Sequence, residues 1–328
     1  MRNSMAILRN PFVIAAAVIV FIMLFIGWYI SGEPSYIKIE SAKDEKTQKH
    51  IVGYATTHAL IGSVETMLNK NGGYLSNDVL PPFSLVDNIP NWEFGVLQQV
   101  RDLAKSLRND YSRSQTQSVA DKDLELAEPK FNVDSEAWMF PSAESEYSEG
   151  VELLQGYLKR LQDSTQQNAQ FYARADNLNE WLSLVEKRLG SLSQRLSSSR
   201  KQVRVNTDLA GDANAKQSTD SEKKIVSETS WFEIDDNFYE ARGTSWALIH
   251  YLKAAEIDFR PVLEDKNAVP TLRQIILELE ATQQPLSSPM VLNGKGMGVF
   301  ANHSLVMSSY ISRANAAIAD LRRLLSEG

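Results

Sequence analysis

The 328-residue sequence contains no cysteine. That excludes disulfides, thiolate nucleophiles, iron–sulfur clusters and cysteine-ligated zinc together. Histidine is nearly as scarce. His50, His58, His250 and His303 form no H-E-x-x-H pair, and none follows a glutamate by three positions as di-iron bundles require. Positive charge is in deficit, with 34 Lys and Arg against 41 Asp and Glu, a net charge of −7. Arg2 and Arg9 are the only charges in residues 1–32, so the rest of the chain is more acidic still. Counterion release needs clustered Lys and Arg, so nucleic acid is not an expected partner, and neither is electrostatic attraction to anionic lipid. Sustained apolar–polar alternation is also missing, which argues against a sheet. No motif commits the chain to a cofactor, and none is expected.

One long apolar run is present. Pro11 to Ile30 holds 20 residues without a charge, about what a ~30 Å hydrocarbon core requires at ~1.5 Å per residue. Trp28 and Tyr29 sit at its end, where amphipathic rings prefer the membrane interface, and Gly32, Glu33 and Pro34 stop the helix. A cleaved signal peptide is the rival, but its apolar core would be ~7–15 residues with a small-residue cleavage site after it. The expected organisation is a tail over 1–10, a transmembrane helix over 11–31, and a soluble part on the outer side of the membrane.

The soluble part reads as helix after helix. A helical pattern over Thr47 to Lys70 is closed by Asn71, Gly72 and Gly73. Asn91 is placed to cap a helix with Phe94, Leu97, Val100, Leu103 and Leu107 on one face. Residues 112–141 look irregular, with one short turn near Asp121 to Ala127 and a buried plug of Trp138, Met139 and Phe140. Pro141 and Ser142 start a helix with early acids and a heptad stripe of Val151, Leu154, Leu158 and Leu161. A second stripe, Leu182, Val185, Leu189, Leu192 and Leu196, is out of phase with the first. Asn177 and Glu180 resemble a capping box between them. Two helices in an antiparallel hairpin fit this pattern; one stuttered coiled coil is the alternative.

Residues 205–224 are small and polar, a flexible linker or long loop that divides a helical region (32–204) from an aromatic-rich one (225–328). Beyond it, Phe238, Ala241, Ser245, Leu248, Leu252 and Ala255 form a helical stripe that Trp246 and Ile249 widen, as expected of a central core helix. Further helices fit Thr271 to Gln284 and Asn302 to Ser326. The expected fold class is all-α: a single N-terminal transmembrane helix and a helical bundle.

Few residues offer chemistry. Glu233, Asp235, Asp236 and Glu240, with His250 further on, could serve acid–base work if burial separated their pKa values. The simpler reading is that Asp235 or Asp236 caps a helix start. Gly243-Thr244-Ser245-Trp246-Ala247 approaches a nucleophile elbow but lacks its second glycine and its strand, leaving a small-residue packing spot. Asn293, Gly294, Lys295, Gly296 and Gly298 fall short of a phosphate loop and fit an exposed contact loop.

The block Trp231–Gly243 (WFEIDDNFYEARG), with the apolar N-terminal run and the helical remainder, resembles a bacterial inner-membrane family of unknown function, the domain-of-unknown-function family numbered 2333. The resemblance implies a bacterial envelope location and brings no catalytic residue. The expected function is a non-enzymatic, membrane-anchored scaffold or adaptor that binds another envelope protein or itself. A sensor for a small molecule or lipid, and a membrane-tethered hydrolase using the acidic cluster, are the alternatives.

Overall fold

Capping chemistry and apolar periodicity set ten helices among the described residues of the computed structural model. Those residues are 11–43, 48, 50–81, 83, 86–114, 119–163, 168–205, 224–286, 288, 290–296 and 298–327. In chain order the helices are α1 (Pro11–Ile30), α2 (Tyr54–Asn69), α3 (Asn88–Ser106), α4 (Lys122–Phe131), α5 (Ala143–Gln162), α6 (Ala175–Ser197), α7 (Ile234–Asp258), α8 (Arg260–Asp265), α9 (Val269–Ala281) and α10 (His303–Ser326). About 67% of the chain is helical, so the all-α class is the observed one. α1 is long and apolar enough to cross a membrane and is almost wholly unburied.

Side-chain caps fix several boundaries. Asp121 accepts from the amides of Asp123 and Leu124, Ser142 from Ser145, and Asn302 from Leu305, each satisfying amides that the first turn leaves without carbonyl partners. Other starts differ from expectation. α2 begins at Tyr54 because Gly53 adopts φ 89°. α3 begins three residues before Asn91, whose side chain instead donates to the Asp87 carbonyl. Asn177 lies inside the first turn of α6 and donates to the carbonyls of Asp110 and Tyr172, so the capping-box reading fails.

α7 is the central element, buried around most of its circumference. It packs most extensively on α3, and also on α2 and α9. Gly95 of α3 and Gly243 of α7 permit this: a Cβ on Gly243 would overlap the Trp92 carbonyl, and one on Gly95 the Glu240 carbonyl. The Gly243–Ala247 stretch is therefore a helix crossing, with Ser245 fully buried. The two heptad stripes belong to separate helices, as expected, but the helices are not each other's main partners. α5 packs on α4 and α2, while α6 packs on α10.

A short ribbon was not expected. β1 (Gln202–Val205) pairs antiparallel with β2 (Lys224–Ser227), Val203 opposite Val226. Four residues are too few to register as alternation in the sequence, although the β-branched pair favours pairing. Residues 206–223 of the expected linker lie outside the described residues.

The helices run back and forth between two ends. At one end Ile30 of α1 is buried against Leu75 and Ile89, with Ile26, Phe83 and Val86 around it. At the same end Asn77 ties the α2–α3 connection to Ala137, Asn91 ties α3 to Asp236, and Thr229 and Asn293 bond the carbonyls of Ser198 and Ser199. The far end gathers Tyr111, Phe171 and Phe259, the Arg160–Asp121 ion pair and the Lys266–Glu327 contact. Trp138, Met139 and Phe140 are at the α1 end and are exposed, not a buried plug. Tyr74, Phe131 and Tyr147 already fill the core behind them.

Candidate functional site

The last turn of α6, the first turns of α7 and the ribbon enclose an open cleft of about 740 Å³. Glu233, Asp236 and Glu240 line it together with Asn91, Phe94 and Arg195. Three of the expected acids thus share one cleft because the spacing of three and four places them along one side of a helix. Asp235 is outside it, and so is His250.

The three acids are not equivalent. Glu240 is held in a two-pronged pair by Arg195, at 2.5 and 2.6 Å, and the same guanidinium donates to Asn237 at 2.7 Å. Glu233 sits at the N-cap position with no side-chain cap bond. Asp236 accepts one hydrogen bond, from Asn91 Nδ2 at 2.7 Å. Partial burial, then the charges of Asp235, Asp87 and Glu233, push its pKa up to about 6. Neither Asp235 nor Asp236 caps the helix; their place in the first turn is favoured by the helix dipole instead. The cleft therefore holds one neutralised carboxylate and one that exchanges its proton near neutrality.

His250 belongs to a different construction, which local sequence patterns did not disclose. From Ser31 the chain runs as an extended strap along α7 in the same direction. Glu33 receives two hydrogen bonds from Arg242, at 2.6 and 2.7 Å, and Arg242 also donates to the carbonyls of Thr282 and Gln284. Eight residues on, His250 Nδ1 donates to the Trp246 carbonyl at 2.7 Å while Nε2 accepts from the Ile37 amide at 2.9 Å. Those partners require a neutral ring, and burial lowers its pKa to about 4. Eight further on, buried Asp258 accepts from the Thr56 amide and hydroxyl, each at 2.7 Å, and meets His50 at 2.9 Å. That hydrogen bond holds the His50 pKa above its usual value. Arg242 and His250 thus clamp the strap itself, and Asp258 ties down His50, which bridges back to Lys43, so the three anchor points span about 24 Å of helix. Only the Tyr-Ile-Lys-Ile alternation at residues 36–39 hints at it, with Ile37 and Ile39 packed on the core.

The glycine-rich loop is pinned at its neck. Asn302 Nδ2 donates to Asn293 Oδ1 and to the Gly294 carbonyl, and the Gly294 amide to the Ala301 carbonyl. Lys295, Gly296 and Gly298 lie beyond this neck on the way to exposed Val299 and Phe300. An apolar pocket between Phe238, Leu286, Met307 and Tyr310 measures about 210 Å³, below the ~300 Å³ where small-molecule sites usually begin. Among the described residues no group of three His, Asp or Glu is arranged to hold a metal ion.

Fold and site together define an all-helical protein whose N-terminal helix is long and apolar enough to cross a membrane. The chain belongs to the family described as uncharacterized protein conserved in bacteria (DUF2333), whose profile matches residues 3–328. No curated protein and no solved structure matches it.

Proposed function

We propose that this chain is a single-pass protein of the bacterial inner membrane whose helical domain stands on the periplasmic side and acts as a scaffold for another envelope protein. The observation that carries the reading is the way α1 and the strap are built into the domain. Ile30 is buried by the domain's own residues, and a Cβ on Gly72, which has φ 87°, would press against it. A cleaved signal peptide has no reason to be a packing partner of the mature fold. Three anchor points then fix the strap along the central helix, so the domain is held in a set posture at the membrane. Such a posture suits a protein that presents a surface to a partner.

The cleft is the surface best suited to that partner. Glu228, Glu233 and Asp236 outweigh the single Arg195, which Glu240 already neutralises, so a cationic segment is its natural complement. In-cell crosslinking of the tagged full chain, followed by purification and mass spectrometry, tests this. A reproducible envelope partner that disappears in a chain carrying Glu233→Lys and Asp236→Lys supports the reading. Recovery of the protein alone contradicts it. Labelling Val119→Cys in intact cells with an impermeant maleimide, possible because the chain has no other thiol, tests the side of the membrane.

A second reading keeps one specific support, the Asp236 carboxyl with its pKa of about 6 inside a cleft. Groups tuned this way serve as general acids or bases. On that reading the protein is a tethered hydrolase, and Asp236→Asn abolishes turnover of its substrate while leaving the fold intact. His250 has no part in it, since both ring nitrogens are committed to the strap and to α7.

A further inference from the structure

We propose that the α1 end of the domain is itself a membrane-binding surface, seated in the interfacial layer of the bilayer that α1 crosses. The inference rests on the reading of α1 as an anchor and adds a second contact to it. Each connection at this end presents large apolar side chains to solvent. The α2–α3 connection presents Val79 and Leu80, the latter 71% exposed. The α4–α5 connection presents Trp138, Met139 and Phe140, the last 93% exposed. Trp231 and Phe232 project from the turn before α7, Phe232 at 85%. The α9–α10 loop adds Met290, Phe300 and Val299, which is 99% exposed.

These groups belong to four separate connections, so the apolar face is built by the whole end of the bundle and not by one loop. Exposed apolar residues scattered singly are ordinary, whereas their concentration on one face marks a binding surface. At the far end, Val52 and Val119 are the comparable residues among those described.

The occupant follows from where α1 leaves the domain. Val86 reaches α1 at Gly27, about a turn before its end at Ile30, and Phe83 and Ile26 pack against the same small cluster around Ile30. One turn is ~5 Å. The α2–α3 connection therefore descends alongside α1 to the level of Trp28 and Tyr29, the depth at which interfacial aromatic residues settle. Monotopic surfaces bury their apolar groups ~5–10 Å into the headgroup and acyl boundary. Carboxylates at this end, Asp78, Asp87, Glu233 and Asp235 among them, outnumber the exposed Lys201 and Lys295 and disfavour anionic lipid, so insertion is driven by apolar contact and suits a zwitterionic surface.

The test uses the full chain in phosphatidylcholine vesicles, with nitroxide attached to single cysteines placed by Leu80→Cys, Phe140→Cys, Phe232→Cys and Val299→Cys. Val119→Cys serves as the far-end control and Val20→Cys reports on α1. Collision rates with oxygen, which concentrates in lipid, and with a nickel chelate, which stays in water, are compared. The ratio of oxygen to nickel collisions is expected to be several-fold higher at the four base positions than at Val119→Cys. Base positions as open to nickel as Val119→Cys, with Val20→Cys still in lipid, overturn the inference and leave the anchor standing. Base positions shielded from both reagents also overturn it, because protein then covers the face. A Val20→Cys label found in water removes the anchor reading, and the inference with it.

Discussion

The two ends of the helical bundle are closed in different ways. At the far end, Arg260 pairs with Glu264 in the open, while Arg160 grips Asp121 and Asp123 in a largely covered cluster. At the α1 end the connection that grips α1 is tied by a buried pair. Lys70 and Glu93 meet at 2.5 Å with both side chains almost fully enclosed, and Glu93 also accepts from the amides of Leu75 and Ser76 and the Ser76 hydroxyl. This pair holds the connection that grips α1, while the outer surface of the same end exposes apolar side chains on four connections. An end facing water can use exposed ion pairs, which are weak but inexpensive to form. A polar group enclosed behind an apolar face has no water to turn to and must be satisfied internally.

The two ends should differ most in the cost of losing a cation. Lys70→Met leaves Glu93 buried without its cation, and urea unfolding of the detergent-solubilised chain should show a loss of about 3–5 kcal/mol. Arg260→Gln at the far end should cost at most about 1 kcal/mol, because that pair is exposed. Equal losses would dissolve the distinction between the ends. Between the ends, Gly243→Val forces α7 away from the Trp92 carbonyl and should cost about 2–3 kcal/mol by the same measurement.

Asp236 sharpens the comparison in the opposite direction. Its folded pKa, about 6, lies above the ordinary 3.8, so the folded state favours the protonated acid. Its contribution is most favourable at low pH and is lost as pH rises through about 6. Asp236→Asn should therefore stabilise the chain near pH 7 by about 1 kcal/mol after solvent screening, and change little at pH 4. Stabilisation accompanied by loss of the crosslinked partner would mark the residue as kept for binding.

The smallest effects belong to the anchor points of the strap, where His50 and His250 oppose one another. His50 has a raised folded pKa, so its stabilisation is full below about 6.5 and fades as pH rises through the folded value. His250 has a lowered one, about 4, so its contribution is full above about 6.5 and is lost as pH falls toward 4. His50→Gln should flatten the alkaline side of the stability profile and leave the acid side unchanged.

The long helices are legible because each carries its own apolar stripe, as α7 does from Phe238 to Ala255 and α6 from Leu182 to Leu196. By contrast, α4 continues to Phe131, beyond the short turn expected near Asp121 to Ala127, and α8 is too short to show a stripe. The grouping of Glu233, Asp236 and Glu240 was also legible, since helical spacing fixes it locally. The pairing of α6 with α10 was not, because a heptad stripe does not name its partner. Trp138, Met139 and Phe140 were misplaced for a related reason. A short apolar cluster reads the same whether it faces a core or a bilayer, and only the finished fold shows that Tyr74, Phe131 and Tyr147 have taken the interior. The strap escaped notice because its clamps join residues about 200 positions apart.

The six tryptophans offer the most direct test of the difference between the ends. Trp92, Trp181 and Trp246 are buried, while Trp28, Trp138 and Trp231 are exposed and all lie at the α1 end. Intrinsic fluorescence of the full chain carrying Trp28→Phe would be recorded in phosphatidylcholine vesicles, with iodide in the water or brominated phosphatidylcholine in the bilayer. The account predicts strong quenching by the brominated lipid and little by iodide, because Trp138 and Trp231 sit in the interface. Strong iodide quenching with no response to the brominated lipid would contradict it.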